Sequence, residues 1–268
     1  MEGWSRPAPV TAPTAPEDPF NAWFAALEAR HRASLSFQEV RRSLQALSSV
    51  YVERRSKLID GGALDGAGKR AAFALYYGAR HFLLVREVVR ALGATKPTLP
   101  RVADLGCGTG VAGVAWALEM APRPEILSVD RSRWALSETR WTLAQLGLRG
   151  RATPGDVLDT KVAPGACGIV LAFSINELDD PVRDALLPRL LESAKAGARV
   201  LILEPLAKKA SPWWPAWSKA FKAAGGRDDE WKFRPPMPET LELLGKAAGL
   251  ESRELTARTL YLAPAAKR

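Results

Sequence analysis

The residues that could do chemistry are concentrated first in one glycine-rich stretch, residues 102–113, which reads VADLGCGTGVAG. A glycine-rich turn between a strand and a helix lets the backbone come close to a ligand, and the first amides of the helix face that ligand. Gly108, Gly110 and Gly113 match the GxGxxG spacing of dinucleotide-binding turns. The stretch therefore predicts a site for a nucleotide-type cofactor.

Carboxylates around this turn separate two classes of cofactor. Asp104, just before Gly106, would repel a pyrophosphate but would attract the sulfonium and ammonium groups of S-adenosylmethionine (SAM). Asp130 lies 20 residues after Gly110, at the end of the second predicted strand, where an acid commonly binds ribose hydroxyls. Asp156 follows the third predicted strand and could accept from an adenine amino group. Asp104 and Asp156 thus favour SAM over a dinucleotide.

The elements that must position these residues alternate between short strands and helices. The predicted strands span 101–105, 126–130, 151–153, 168–173 and 199–204, and the predicted helices span 111–120, 132–146 and 181–196. A later helix over 237–250 and two closing strands over 251–257 and 258–264 complete the pattern. Repeated strand–helix units predict an α/β fold with a Rossmann-like, mostly parallel sheet and an antiparallel last strand. Ligands of such sheets bind beyond the carboxyl ends of the strands.

The part of the chain before residue 98 predicts helices only. Residues 1–19 are rich in Pro and Ala and are expected to form a disordered tail. Residues 20–97 contain three helical patterns and predict an N-terminal helical cap, followed by a cofactor-binding domain over 98–268. Ser36 and Glu39 have the spacing of a capping box, and Gly93 is placed to end the third helix.

The motif DLGCGTG, the strand-end Asp130 and the GDV at 155–157 together resemble the class I SAM-dependent methyltransferases, over roughly residues 100–263. In such a protein Asp130 would bind the ribose, and Asp156 with Val157 would bind the adenine. The turn around Asp104 would hold the methionine part. The full set of predicted cofactor contacts is Asp104, Gly106, Cys107, Gly108, Gly110, Asp130, Arg131, Asp156, Val157, Phe173, Tyr77 and Arg80.

The catalytic candidates follow the fourth strand or lie in the third N-terminal helix. Asn176 and Glu177 offer an amide and a carboxylate at the strand exit, although a turn residue and a helix-dipole acid would look the same. His81 is a candidate general base, with helix packing as the alternative. A tryptophan cluster after the fifth strand could stack a planar acceptor or simply pack a helix: Trp213, Trp214 and Trp217.

Four short motifs, YYGAR, DLGCGTG, SINEL and LILEP, are together similar to the methyltransferase-like proteins associated with the mitochondrial small ribosomal subunit and to their bacterial relatives. The similarity would cover most of residues 40–206 and implies ribosomal RNA methylation or small-subunit assembly. The mitochondrial members resemble iron–sulfur proteins, whereas this chain has two cysteines, Cys107 and Cys167, so no cluster is carried over. With only two histidines besides, we expect no metal site.

Charge adds one argument about the methyl acceptor. The net charge is +9, and residues 30–90 alone carry +7, which suits RNA but also fits a merely Arg-rich composition. The sequence therefore predicts a SAM-dependent methyltransferase with RNA, specifically ribosomal RNA, favoured over a small-molecule acceptor. A SAM-binding ribosome-assembly factor without turnover is the third alternative. No apolar run approaches the ~18 residues that span a bilayer, so we expect a cytoplasmic protein.

Overall fold

A computed structural model describes residues 18–53, 64–160, 164–207, 211–250 and 253–264. Within these residues the chain forms one seven-stranded sheet with the strand order β3-β2-β1-β4-β5-β7-β6. The strands are β1 Arg101–Leu105, β2 Glu125–Asp130, β3 Gly150–Pro154, β4 Gly168–Ala172, β5 Arg199–Glu204, β6 Arg227–Phe233 and β7 Leu255–Leu262. Strand β7 pairs antiparallel with both β5 and β6, and the pairs among β1 to β5 are parallel. The predicted Rossmann-like sheet with an antiparallel last strand is confirmed.

The helices cover both faces of this sheet. They are α1 Pro19–Arg32, α2 Phe37–Glu53, α3 Ala67–Ala72, α4 Ala79–Ala91, α5 Val111–Leu118, α6 Arg133–Gln145, α7 Asp180–Lys195, α8 Trp214–Ala223 and α9 Glu239–Ala247. A π-helical turn, Phe73–Gly78, joins α3 to α4, and a 3₁₀ turn, Ile175–Glu177, follows β4. No helix of the described ranges is long and apolar enough to cross a bilayer.

Local sequence signals explain where several helices begin and end. The backbone amide of Ser36 donates to Glu39 Oε2 at 2.7 Å and the Glu39 amide donates to Ser36 Oγ at 3.3 Å, which is the predicted capping box. Gly93 and Gly147, at φ +61° and +59°, follow the ends of α4 and α6. Helix α1 begins at Pro19, one residue inside the predicted tail, and residues 1–17 lie outside the described part.

The core is continuous between the N-terminal helices and the sheet domain. Phe20 and Trp23 of α1 are buried in the same apolar cluster as Val102 of β1 and Trp116 of α5. Arg30 of α1 forms two 2.8 Å hydrogen bonds with the buried carboxylate Glu138 of α6. These contacts pack α1 against α6 and into the same core as β1 and α5.

The prediction of two closing strands over 251–257 and 258–264 is wrong. A single strand, β7, runs through both ranges and pairs with β6 from Arg227↔Tyr261 to Phe233↔Leu255. Strand β6 itself was not predicted, because its sequence RDDEWKF is rich in residue types that strands usually exclude. It lies at the edge of the sheet, where charged side chains are tolerated and discourage pairing with other chains.

Candidate functional site

The glycine loop after β1 needs glycine for two different reasons. Gly106 and Gly110 have φ values of +67° and +77°. A Cβ atom on Gly106 would lie 2.8 Å from Ser174 Cβ, and one on Gly110 would lie 2.6 Å from Thr139 Cγ2. Gly108, at φ +53°, has nothing within 4 Å of its added Cβ. The loop is therefore packed at its two ends and open in the middle, where a ligand could approach its backbone.

Asp104 is buried behind this loop with one oxygen unpaired. The residue is 1% exposed, and its Oδ2 accepts from the Gly113 amide at 2.8 Å. Its Oδ1 has no hydrogen-bond partner within the described residues. Burial, opposed by the Gly113 amide and aided by the charge of Asp130, raises the pKa of Asp104 to about 7. A buried carboxylate with an unpaired oxygen is costly, and a cationic ligand would relieve that cost.

Gly113, the last glycine of the motif, lies at a close contact between α5 and β1. A Cβ atom there would lie 3.0 Å from the Cβ and Oδ2 atoms of Asp104. Its absence lets the first turn of α5 approach β1 closely enough for the amide hydrogen bond to form. The GxGxxG spacing is therefore explained by packing and by Asp104, and it does not require a pyrophosphate.

Asp130 is the last residue of β2, and Asp156 lies just after β3. Both are on the side of the loop where a nucleoside would lie. Asp130 accepts from the amides of Gly108 and Ser132, both at 2.8 Å, so it also holds the glycine loop in place. Burial raises the pKa of Asp130 despite these bonds. Asp156 forms an ion pair with Arg131 and accepts from the Leu158 amide at 3.0 Å. Burial works against the ionised form of Asp156, but these two partners outweigh it and lower its pKa.

Two other predicted contacts lie close to the loop. Val157 Cγ1 is 3.9 Å from the position of a Cβ atom on Gly106. The Cys107 side chain is buried, with its sulfur 3.7 Å from the Gly108 carbonyl oxygen and 3.6 Å from Thr139 Oγ1. Burial raises the pKa of that thiol well above its usual range. Cys107 thus packs beneath the loop, and only its backbone could face a ligand.

The exit of β4 brings His81 and Phe173 together. Phe173 has φ +58°, which is uncommon for a residue other than glycine. Its ring stacks on the His81 ring with centroids 3.9 Å apart and planes at 15°. Burial and then the charge of Arg80 lower the pKa of His81 to about 3, so its imidazole is neutral and weakly basic. These contacts support the packing interpretation of His81 and give no support to a general-base role.

Asn176 is held by neighbours that sequence reasoning did not connect. Its Nδ2 donates to Glu204 Oε2 at 2.5 Å, and its Oδ1 accepts from Trp213 Nε1 at 2.9 Å. Glu204, the last residue of β5, is 1% exposed and also accepts from the amides of Ile175, at 2.9 Å, and Asn176, at 3.3 Å. Burial raises the pKa of Glu204 to about 8 despite these bonds. Asn176 is thus a connector between β4, β5 and the tryptophan cluster.

Glu177, the third catalytic candidate, carries an ionisable side chain at the edge of the site. The residue reaches solvent, but the protein around its carboxyl, together with the charge of Asp130, raises its pKa to about 7. It lies in the 3₁₀ turn beside Asn176. The charge of Asp130 raises the pKa of both Asp104 and Glu177, so the three carboxyls lie near one another at the carboxyl ends of β1, β2 and β4, where such sheets have their ligand-binding crevice.

The tryptophan cluster is mostly packing. Trp214 and Trp217 are buried at 5% and 3% exposure, whereas Trp213 is half-buried and directs its indole NH to Asn176. The Trp213 and Trp217 rings meet edge to face with centroids 5.0 Å apart. Only Trp213 is therefore placed to contact an acceptor.

The π-helical turn packs against the glycine loop. The two predicted cofactor contacts of this region, Tyr77 in the turn and Arg80 in α4, point in different directions. A Cβ atom on Gly78 would lie 3.2 Å from Thr109 Oγ1, so the turn touches the loop. Tyr77 is half-buried next to this contact, and burial raises its pKa to about 12. Arg80 instead donates to the Glu254 carbonyl at 3.1 Å, beside β7, and lies over the Tyr76 ring. Arg80 also lines a cavity of about 240 Å³ between the π-helical turn and α9, so these contacts do not support its predicted role as a cofactor contact.

Comparison with known proteins agrees with this arrangement. Residues 102–197 match a family model described as a methyltransferase domain. The ribosomal RNA large subunit methyltransferase G of Streptomyces avermitilis is 35% identical over 159 residues, covering 54% of this chain and 38% of that protein. The protein of the same name from Pseudomonas paraeruginosa is 37% identical over 120 residues, covering 44% and 30%. The chain thus spans less than two fifths of the length of these relatives.

A solved structure supports the fold. A Nostoc punctiforme protein named as an O-methyltransferase aligns with a TM-score of 0.53 at 12% identity, over 82% of this chain and 72% of its own. The sheet order, the glycine loop and the family model lead to the same assignment. Residues 102–197 of this chain are similar to the methyltransferase-domain family, and the whole sheet has the fold of a protein named as an O-methyltransferase.

Proposed function

We propose that this protein transfers a methyl group from SAM to RNA, with ribosomal RNA as the favoured acceptor. The observation that carries the cofactor part of the proposal is the unpaired, buried Oδ1 of Asp104 behind the glycine loop. A carboxylate there suits the cationic amino-acid end of SAM, and a pyrophosphate in the same place would meet like charge. The open side of Gly108 leaves room for the ligand at the loop.

The predicted cofactor contacts can be assigned to three parts of SAM: the methionine part, the ribose and the adenine. Asp104 and the loop of Gly106, Gly108 and Gly110 would hold the methionine part. Asp130 would bind the ribose, and Asp156 with Val157 would bind the adenine. Arg131, Phe173 and Tyr77 would close the site around them. SAM, when bound, supplies an activated methyl group, and the chain's own task is to bind, align and exclude water.

Glu177 is our candidate for the group that takes the acceptor's proton. Its carboxyl lies at the rim of the crevice, and its pKa of about 7 gives substantial carboxylate at neutral pH. When the methyl group moves to an acceptor N–H or O–H, Glu177 would take the proton which that atom loses. Asn176 would position the turn that carries Glu177.

The choice of RNA rests on relatives and on charge. Both relatives compared above are named as ribosomal RNA methyltransferases, and this chain has a net charge of +9. Within this proposal, residues 20–97 are a cap over a catalytic domain of residues 98–268. Contact with the small ribosomal subunit and a cytoplasmic location belong to the same proposal.

A second candidate is a small-molecule methyltransferase. The cavity of about 240 Å³ between the π-helical turn and α9, lined in part by Tyr76, Met237 and Leu241, is the specific observation that favours it. That volume would hold only part of a typical ligand, since such pockets commonly reach about 300–1,000 Å³.

The test is to incubate the protein with methyl-labelled SAM and either deproteinised ribosomal RNA or a small-metabolite fraction. We expect label in the RNA, and none with the Asp104→Asn variant. Label only in the metabolite fraction would support the second candidate. Label in neither fraction, with SAM binding intact by calorimetry, would overturn methyl transfer to RNA and favour the SAM-binding assembly factor.

A further inference from the structure

Part of the positive charge of the basic N-terminal segment is compensated within the fold. Four of its arginines pair with carboxylates of the protein: Arg30 with Glu138, Arg32 with Glu28, Arg86 with Asp18 and Arg90 with Glu119. Arg54, Arg55 and Lys57 fall outside the described residues. The charge of +7 counted along residues 30–90 therefore overstates the charge that the described part of this segment leaves free.

A different region keeps its charge uncompensated. Residues 131–153, which form α6 and β3, contain five arginines and a single acid, Glu138. Glu138 is 3% exposed and is already bound by Arg30. Arg131 pairs with Asp156. The other four arginines form an exposed surface that we call the arginine face: Arg133, Arg140, Arg149 and Arg151.

Two residues of the arginine face, Arg133 and Arg140, lie on one exposed side of α6. Arg133, Ser137, Arg140 and Ala144 are all exposed and follow the i, i+4, i+7, i+11 spacing of one helix face. Arg133 and Arg140 are separated by about 10 Å along α6. Arg140 donates to the Ala152 carbonyl of β3 at 2.7 Å, which joins this helix face to the edge strand. The arginine face thus runs from the crevice, where α6 begins, down the edge of the sheet.

Stability does not explain these arginines well. The side chains of Arg133, Arg149 and Arg151 make no hydrogen bond or ion pair with any residue that the structure describes. Arg133 also occupies the first turn of α6, where the helix dipole disfavours a cation and favours an anion. An anionic partner would satisfy all three. Arginine forms paired hydrogen bonds with phosphate, so a phosphate backbone is the partner whose chemistry suits these side chains.

We propose that the arginine face binds the phosphate backbone of the RNA acceptor and leads it to the crevice. The inference rests on the proposed RNA acceptor and adds the route by which the RNA reaches the cofactor. Because the contacts are to phosphates, they set affinity and its salt dependence and do not select a sequence.

The experiment compares two triple variants with the same loss of charge. Arg133→Gln, Arg149→Gln and Arg151→Gln remove the arginine face but spare Arg140, which bonds to the backbone of β3. The control, Lys96→Gln, Lys219→Gln and Lys246→Gln, removes three exposed cations that have no ion pair within the described residues. Binding of a labelled 20-nucleotide oligouridylate is measured by fluorescence anisotropy across a salt series, and SAM affinity is measured by calorimetry.

We expect the arginine-face variant to bind the probe between ten and a hundredfold more weakly at 0.1 M salt. Its slope of log affinity against log salt should be shallower by about two to three, whereas the control keeps the slope of the unmodified protein. SAM affinity should be the same in all three proteins. A third variant with Arg→Lys at the same three positions should keep most of the slope, which separates charge from an altered fold.

Equal slopes in the arginine-face variant and the control would overturn the arginine face as the RNA route. If the unmodified protein still methylates ribosomal RNA in that case, the proposed function stands without it. An unmodified protein that binds SAM but neither binds the probe nor methylates ribosomal RNA would overturn both. Aggregation of the Gln variant but not of the Lys variant, without a change in probe affinity, would assign these arginines to protection of the edge strand.

Discussion

Asp104 and Glu204 are both buried carboxyl groups at the carboxyl ends of strands, yet the fold treats them differently. Each is 1% exposed, and burial raises the pKa of each, to about 7 and about 8. Glu204 has hydrogen bonds to both oxygens, from Ile175 and Asn176. Asp104 has one oxygen bonded and one unpaired. The hydrogen bonding of Asp104 is thus left incomplete, whereas that of Glu204 is completed by the protein itself.

This difference indicates what each carboxyl group does. A group with an unmet hydrogen-bonding capacity inside the protein is a binding group for something that arrives from outside. A group whose partners are all internal fixes geometry. We therefore expect changes at Asp104 to act on SAM affinity, and changes at Glu204 to act on stability and turnover.

The largest effect is expected for Asp104→Asn. The amide can still accept from Gly113, but it lacks the charge that SAM would meet, so SAM binding should weaken by about 1.5–3 kcal/mol. The unfolding free energy of the ligand-free protein at pH 8 should not fall, because a buried charge has been removed. Calorimetry and urea unfolding measure the two quantities. The exposed Asp159→Asn is the control, and unchanged SAM affinity in Asp104→Asn would refute the cofactor assignment.

Glu204→Gln should show the opposite pattern. Glutamine offers one acceptor oxygen, and its amide would face Asn176 Nδ2, so the unfolding free energy should fall by about 1–3 kcal/mol. Methyl transfer should slow because the turn carrying Glu177 is no longer fixed, while SAM affinity changes less than threefold. Glu230→Gln, at an exposed position of β6, is the matched control. A loss of SAM affinity as large as that in Asp104→Asn would erase the distinction between the two carboxyls.

The pH dependence sharpens the comparison further. The pKa of Asp104 is raised, so the folded ligand-free protein holds its proton more tightly than the unfolded chain does. Its contribution therefore lowers the unfolding free energy as pH rises from about 4 to about 7. SAM needs the ionised carboxylate, so its affinity should rise several-fold between pH 6 and pH 8. Calorimetry at both pH values should show this rise, and Asp104→Asn should show a smaller one, because Glu177 titrates in the same range.

The smallest effect is expected for His81→Phe. A phenyl ring can keep the stack on Phe173, and the imidazole it replaces is neutral at physiological pH. Methyl transfer should stay within about threefold of the unmodified protein, with the same pH profile. If His81→Phe loses turnover and also loses the decrease in rate at acidic pH, the result would show that His81 acts as a base.

The parts of the molecule that the sequence predicts well are those encoded locally. Strands β1 to β5 were predicted within one residue at each end, because four of them are short apolar runs and β3, with the sequence GRATP, follows the glycine that ends α6. The glycine loop and Asp130 come together through the order of consecutive elements, which the strand–helix alternation already implies. The roles of Asp104 and Asp130 in binding SAM stay predictions, now with a geometry that suits them.

The parts that could not be predicted depend on contacts between distant segments. The Glu204–Asn176–Trp213 connection joins residues up to 37 positions apart and has no short motif, although a carboxylate ending an apolar strand was a signal. The direction of the Arg80 side chain depends on contacts with residues that precede β7 and follow β6. Strand β6 was itself not predicted. Charge counted along the sequence pointed to residues 30–90, whereas only the folded structure shows which arginines are already paired.

The π-helical turn Phe73–Gly78 has a consequence for how this protein tolerates insertions and deletions. A π-turn accommodates one extra residue as a bulge, so the residues after it keep the rotational phase that they would have in an α-helix one residue shorter. Deleting one residue within it would therefore let a straight α-helix form, with intact backbone hydrogen bonds. The same deletion would keep α4 in phase, so the His81 ring would stay against Phe173 and the side chains of Phe82 and Leu83 would stay buried.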